Sequence, residues 1–123
     1  MSAKLIPIYT TKGDADAFLQ YPYIFNRNGE WIGFVAPNRD VYSVLGNYIG
    51  ALTNDPRIVR KRTLEEIPPR VAPPPPPQKA SPPAMSPLAP MMSELSYSLM
   101  DVLQDDPEKL HTLDSGRDKA DMD

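Results

Sequence analysis

The chain has no cysteine, one histidine and six glycines among its 123 residues. Without cysteine there is no disulfide framework, thiolate nucleophile, iron–sulfur site or zinc finger. The single histidine, His111, excludes a multi-histidine metal site and a conventional Ser-His-Asp arrangement. The longest apolar runs are far shorter than the roughly 20 residues that cross a bilayer, and residues 1–14 lack the apolar region of a secretory signal. We therefore expect a cytoplasmic protein without membrane insertion, and no catalytic, cofactor-binding or metal-binding residues.

Proline, by contrast, is abundant, with 16 residues in the chain against a usual share of about 5%. Eleven of these prolines lie in residues 67–90 and divide the chain into three parts. Residues 1–66 hold most of the aromatic residues and are expected to form a domain. Residues 67–90 are expected to be a Pro-rich linker, and residues 91–123 an acidic tail.

The Pro-rich segment is unsuited to a helix or a central strand, because each proline fixes φ and removes an N–H donor. Its uninterrupted run, Pro73 to Pro77, predicts polyproline II with a rise of about 3.1 Å per residue. We interpret the segment as a semi-rigid spacer. The alternative is a ligand for SH3-like or WW-like domains, which bind such helices.

The N-terminal part contains an internal repeat. The three units read IYTTKGDADAFL, IFNRNGEWIGFV and VYSVLGNYIGAL, and they are spaced by 16 and 17 residues. The common pattern is a β-branched residue, an aromatic residue, three variable residues, glycine, one variable residue, and then an aromatic residue followed by Ile-Gly, one variable residue and an aliphatic residue. Repeated units of this length indicate repeated supersecondary structures.

Each unit is predicted to be a β-hairpin, and Asn28-Gly29 favours a type I′ turn between its strands. That turn would place Phe25 opposite Ile32 on one face, with Gly33 on the other. The glycines expected to be required for turns or for close approach are Gly13, Gly29, Gly33, Gly46 and Gly50. The candidate core residues are Tyr9, Phe25, Ile32, Phe34, Tyr42 and Ile49.

A basic run follows the third unit and is expected to end the sheet. Residues 57–62 would form a last strand, which contains four cations: Arg57, Arg60, Lys61 and Arg62. One interpretation is a charged edge strand that discourages pairing with other chains. The other is a set of candidate anion contacts for a phosphate or a nucleic acid, with the repeat aromatics Trp31 and Tyr48 stacking on a base or a sugar.

The repeated aromatic, glycine and aromatic-Ile-Gly pattern resembles the bacterial "four-fold beta flower" domain over about residues 6–62. The resemblance implies an all-β fold of short antiparallel β-hairpin units with approximate internal symmetry. It implies no assigned activity. The unit VYSVLGNYIGAL matches best, whereas the first unit has Ala15 and Ala17 where an aromatic residue and glycine are expected.

The acidic tail is predicted to contain a short amphipathic helix at about residues 93–104. Its apolar stripe has helical spacing and consists of Met92, Leu95, Leu99, Val102 and Leu103. Asp106-Pro107 would then start a second helix over 107–114. Because a helix of this length is marginal alone in water, its stripe needs a surface. A partner protein, a second copy and the domain itself are the options, beside plain disorder.

These features together predict a non-enzymatic adaptor or scaffold protein. A hairpin-repeat domain would be tethered by a Pro-rich spacer to a helix that docks on a protein partner. The alternative is a small module that binds nucleic acid or carbohydrate through residues 57–62 and the repeat aromatics. The net charge of −3 and the shortness of the basic run argue against nucleic acid. A small domain buries little surface, so a homo-oligomer is also plausible.

Overall fold

The computed structural model describes residues 4–64 and 66–113; the end of the predicted acidic tail lies outside these residues. In the described part, eight antiparallel strands form one curled sheet whose order follows the chain. The predicted all-β class is confirmed. The strands are β1 (Ile6–Tyr9), β2 (Ala15–Gln20), β3 (Tyr23–Asn26), β4 (Trp31–Val35), β5 (Asp40–Ser43), β6 (Tyr48–Leu52), β7 (Ile58–Lys61) and β8 (Leu99–Asp101).

Two short helical segments follow the last strand: α1 (Val102–Asp105) and a 3₁₀ turn over Pro107–Lys109. Asp101 caps α1, because its side chain accepts a hydrogen bond from the backbone N–H of Gln104. Neither these segments nor any other helix of the described residues is long and apolar enough to cross a bilayer.

The first three hairpins share one turn geometry. In the hairpin of β3 and β4, the N–H of Gly29 donates to the carbonyl of Asn26 at 3.0 Å, and the N–H of Asn26 donates to Glu30 at 2.9 Å. Gly29 is left-handed, with a φ of 82°, as are Gly13 and Gly46. This is a type I turn followed by a left-handed residue that forms a bulge. The predicted type I′ turn at Asn28-Gly29 is therefore wrong.

A second irregularity, further along the same hairpin, changes which side chains share a face. Ile24 pairs with Gly33 as predicted, but the register then shifts and Phe25 pairs with Trp31 instead of Ile32. Because side chains alternate along a strand, the extra residue puts Ile32 on the same side as Ile24. The predicted common face of Phe25 and Ile32 is therefore incorrect, although both side chains are buried.

Two apolar clusters result, one on each face of the sheet. The first is aliphatic and includes the equivalent first-strand residues of the four hairpins, all fully buried: Ile8, Ile24, Val41 and Ile58. The second is aromatic and is centred on Phe25, Trp31, Phe34 and Tyr42. The six predicted core residues are all buried, but Ile32 and Ile49 belong to the aliphatic cluster, whereas Phe25, Phe34 and Tyr42 belong to the aromatic one.

The fourth hairpin is discontinuous in sequence. Its first strand is β7, and its second strand is β8, which pairs Asp101 with Val59 and Met100 with Arg60. Residues 99–101 are therefore a strand, and the predicted helix over 93–104 is wrong in extent. The backbone groups at the edge of β7 need partners, and residues 99–101 supply them. A helix over 93–104 would leave that edge unpaired.

The sequence also overestimates the second helix. In the described part of this span, Pro107–Lys109 forms a 3₁₀ turn and the chain extends again at Leu110; the predicted end at residue 114 lies outside the described residues. Leu110 turns inward and joins the aliphatic cluster together with Val102 and Leu103. Part of the predicted tail thus completes the core of the sheet.

The equivalence of the hairpins gives a stability test. We expect Ile24→Ala and Ile58→Ala each to lower the free energy of unfolding by about 2–5 kcal/mol, because both side chains are fully buried. Leu88→Ala, at an exposed position, is the control and should change it by less than about 0.5 kcal/mol. Urea unfolding measures all three. A small effect at Ile58 alone would show that the fourth hairpin is not part of the same cooperative unit.

Candidate functional site

The aromatic cluster forms a continuous surface across the sheet, which we call the aromatic face. It consists of Tyr23, Phe25, Trp31, Phe34, Tyr42 and Tyr48. The rings of Phe34 and Tyr42 stack with centroids 5.4 Å apart, and Tyr23 meets Trp31 edge-on at 6.0 Å. Burial, followed by the charge of Asp40, raises the pKa of the Tyr42 and Tyr48 hydroxyls, so both remain neutral at physiological pH.

Residues 67–98, which we call the strap, lie against the sheet instead of extending from it. The N–H of Val71 donates to the carbonyl of Gly46 at 3.0 Å, and the N–H of Ala80 donates to the carbonyl of Gly29 at 2.9 Å. The Tyr23 hydroxyl donates to the carbonyl of Pro75 at 2.9 Å. The predicted absence of regular structure in 67–90 holds, but the spacer interpretation does not describe where this segment lies.

The strap has the periodicity of a polyproline II helix. Half-buried residues recur at every third position along most of its length: Val71, Pro74, Pro77, Ala80, Ser86, Ala89, Met92 and Leu95. Polyproline II has three residues per turn, so every third residue lies on one edge. That edge contacts the sheet, and the outward edge includes Met85, Leu88 and Met91, which are 86%, 97% and 100% exposed.

The hairpin glycines are required for this contact as well as for the turns. A Cβ at Gly46 would lie 1.9 Å from the carbonyl oxygen of Val71, and one at Gly29 would lie 2.0 Å from that of Ala80. At Gly13 the nearest atom would be the Cβ of Ala89, at an ordinary distance of 3.7 Å. Three hairpin tips thus meet strap residues spaced nine apart.

This difference between glycines separates turn strain from strap contact. We expect Gly13→Ala to cost about 1–2 kcal/mol of stability, because its φ is positive. Gly46→Ala has the same cost and must also displace the strap backbone, so it should be more destabilising. Urea unfolding gives the stabilities, and amide hydrogen exchange at Val71 reports the strap. If Gly13→Ala and Gly46→Ala lower the stability equally, and the Val71 amide stays protected from exchange in Gly46→Ala, the described contact is contradicted.

The predicted docking stripe is not brought together by the structure. Val102 and Leu103 are buried in the aliphatic cluster, whereas Leu99 is half-buried in β8. Met92 and Leu95 lie on the inner edge of the strap. Because residues 93–98 are not helical, the five side chains do not share a helix face, and two of them are inaccessible to a partner.

The basic run likewise does not form one patch. Arg57 is 2% exposed, and its guanidinium contacts Asp55 at 2.6 Å. Arg60 donates through Nη1 to the carbonyls of Tyr48 and Ile49, both at 3.1 Å. Lys61 and Arg62 are exposed, so at most these two of the four predicted cations are open to an anion.

A polar network that sequence reasoning missed joins the two ends of the sheet. The N–H and the hydroxyl of Thr11, in the first hairpin turn, both donate to Oδ2 of Asp101 at 2.7 Å. Arg57 donates to the Thr11 hydroxyl at 3.1 Å and to the carbonyl of Ser93 at 3.0 Å. Thr11 and Asp101 are 90 residues apart, so no local pattern could have paired them.

The Asp55 carboxylate, which pairs with Arg57 in this network, has a lowered pKa in the folded protein. Burial raises its pKa, but the hydrogen bonds from Arg57 and Thr53 and the charge of Arg57 outweigh burial, and the net pKa lies below its usual value. A lowered pKa in the folded state stabilises the protein above the unfolded value, near 3.9. That stabilisation is lost as the pH falls through the folded pKa.

We therefore expect Asp55→Asn to lower stability at pH 7 by about 1–3 kcal/mol, because the buried Arg57 loses its charged partner. The variant should also lose less stability than the wild type between pH 4.5 and pH 2. Asp14→Asn, which makes the same change of charge at an exposed turn residue, is the control. Urea unfolding at several pH values measures the effect, and an unchanged acid dependence in Asp55→Asn would contradict it.

A separate open cleft of about 610 Å³ lies beside the second hairpin. Its floor includes Ile32, Leu103 and Leu110, and its rim includes His111 and the ion pair of Arg27 with Asp16 at 3.2 Å. Burial raises the pKa of Asp16, and Arg27 opposes that shift. The volume falls within the usual range of small-molecule sites, about 300–1,000 Å³.

Within the described ranges, no three His, Cys, Asp or Glu side chains are grouped so that they could hold a metal ion. Comparison of the chain with protein-family models, curated proteins and solved structures finds no match in any of the three. The resemblance to the four-fold beta flower domain therefore stays a prediction. The geometry of the strap and the aromatic face is the most specific guide to function.

Proposed function

We propose that this chain is a non-enzymatic adaptor whose partner-binding element is the outward edge of the strap. The supporting observation is the row formed by Met85, Leu88 and Met91, which are almost fully exposed and follow one another at every third position. Exposed apolar side chains in a contiguous row mark interaction sites more often than scattered ones do. The partner is a protein with an apolar groove that accepts an extended peptide.

The strap presents this row without the usual entropic cost of ordering a free peptide. Backbone hydrogen bonds hold the preceding part of the strap to the turns at Gly29 and Gly46. Within the row, the Tyr9 hydroxyl donates to the carbonyl of Pro87 at 2.8 Å, so this segment is already held on the sheet when a partner arrives. Pre-organisation of a ligand raises affinity, because less conformational entropy is lost on binding. The adaptor role predicted from the sequence is thus retained, but the docking element moves from the expected helix to the strap.

The test is a triple variant that makes the row polar, Met85→Ser with Leu88→Ser and Met91→Ser. It should lose a partner that the wild type captures from the native host, and the purified partner should then bind the wild type but not the variant. All three side chains are exposed, so the thermal melt should stay unchanged. The matched control replaces exposed apolar residues outside the strap, Ile6→Ser with Tyr21→Ser, and should retain the partner.

Two results would contradict this proposal. If the triple variant binds the purified partner as well as the wild type does, the outward row is not the docking element. If the control double variant loses the partner equally, the interaction depends on general surface hydrophobicity.

A further inference from the structure

We propose that the aromatic face is a binding site for proline-rich segments of a partner protein, and that the strap is its intramolecular occupant. This site lies on the inner side of the strap and is separate from the outward row of Met85, Leu88 and Met91. The two proposals can therefore fail independently.

The contacts between strap and face are those that recognition of a polyproline II peptide requires. Such a helix has no internal hydrogen bonds, so its carbonyls and any free N–H groups are open to a receptor. The face supplies a donor, the Tyr23 hydroxyl, to the carbonyl of Pro75. The hairpin tips beside the face supply the acceptors, because the carbonyls of Gly46 and Gly29 accept hydrogen bonds from the N–H groups of Val71 and Ala80.

These contacts define a ligand pattern. Residues with an N–H group are needed at the positions of Val71 and Ala80, where proline could not donate, and the prolines lie between them at 73–77. Gly29 and Gly46 let the peptide backbone approach closely, since a Cβ at either position would overlap a peptide carbonyl. Two of the inward side chains, Val71 and Ala80, pack against the aromatic cluster, and aromatic-lined grooves bind such peptides in other domains.

The strap fits this site loosely, which favours a replaceable occupant. Three of its inward positions carry small side chains, Ala80, Ser86 and Ala89, and none of its residues is fully buried. A cleft of about 420 Å³ remains between strap and sheet, bordered by Tyr9, Phe18 and prolines of the strap. A partner segment with larger apolar side chains at these positions would bury more surface.

The loose fit also favours a partner protein over a second copy. A strap tethered to its own sheet has an effective concentration in the millimolar range. An identical strap from another copy has no better contacts and would not compete at lower concentration. A partner segment must therefore fit better than the strap itself, and larger inward side chains provide that advantage.

The experiment weakens the strap without altering the face. In the full chain, Val71→Pro with Ala80→Pro removes the two N–H donors while retaining polyproline II geometry. The probe is a synthetic peptide of residues 70–90 carrying Ala80→Leu and Ser86→Leu. Binding is followed by the fluorescence of Trp31, the single tryptophan, which lies on the aromatic face.

We expect saturable binding to the strap-weakened variant and at least ten-fold weaker binding to the wild type. Adding Tyr23→Phe should weaken binding about five-fold, the usual effect of one lost hydrogen bond. Tyr21→Phe, at an exposed position, is the matched control and should have no effect. A peptide of the same composition with scrambled proline positions should not bind.

Several results would overturn the proposal. One is that the peptide does not bind a strap-weakened variant whose thermal melt is unchanged, and another is that it binds the wild type equally well. The others are that the scrambled peptide binds as well as the designed one, and that Tyr23→Phe does not weaken binding. A dimer of the strap-weakened variant that Tyr23→Phe dissociates would assign the face to a second copy instead of a partner.

A second measurement applies if the strap-weakened variant does not fold. In the wild type, saturating peptide should then accelerate amide hydrogen exchange at Val71 and Ala80 and leave the amides of β3 and β4 unchanged. Unchanged exchange at Val71 and Ala80 would show that the strap is a fixed part of the fold and would overturn the proposal.

Discussion

The left-handed glycine at each hairpin tip is the constraint on which the rest of the structure depends. Gly13, Gly29 and Gly46 each end a type I turn. Three residues later, the second strand of each hairpin takes up one extra residue, which is Asp16, Ile32 or Ile49. That added residue decides which side chains face the aliphatic core and which form the aromatic face. The same absence of a Cβ lets the strap backbone lie directly on two of the turns. The glycine thus fixes the turn and, at Gly29 and Gly46, the contact with the strap, and the extra residue that follows it shifts the register.

The hairpin repeat could be predicted from the sequence, because glycine and aromatic residues recur at nearly constant spacing. The details of the turn could not, since Asn-Gly suits a type I′ turn as well as it suits the end of a type I turn with a bulge. The connection between β4 and β5 shows the same limit. Arg39 adopts a φ of 73° there without being glycine. Its side chain bonds to the carbonyls of Leu52 and Thr53, and no pattern near Arg39 signals this.

The placement of the C-terminal part depended on partners far away in sequence. Residues 93–104 have helical spacing, but β7 presents an unpaired edge that residues 99–101 satisfy. The polar network is similarly distant, with Thr11 and Asp101 at opposite ends of the sheet. For the candidate site, the composition of residues 67–90 predicted a segment without helix or strand, and none is present there. The composition could not indicate that this segment lies on the first three hairpins of the same chain.

The split fourth hairpin has a consequence for synthesis of the chain. The first three hairpins close from neighbouring residues, so each can form as soon as its own segment has left the ribosome. β7 can pair with β6 on one side, but its other edge has no partner until the strap has been made and residues 99–101 have emerged. During that interval its edge is open to pairing with other nascent chains, a hazard of unpaired strands. The exposed Lys61 and Arg62 at the end of this strand would repel the same positively charged edge of another nascent chain while β7 is still unpaired on that side.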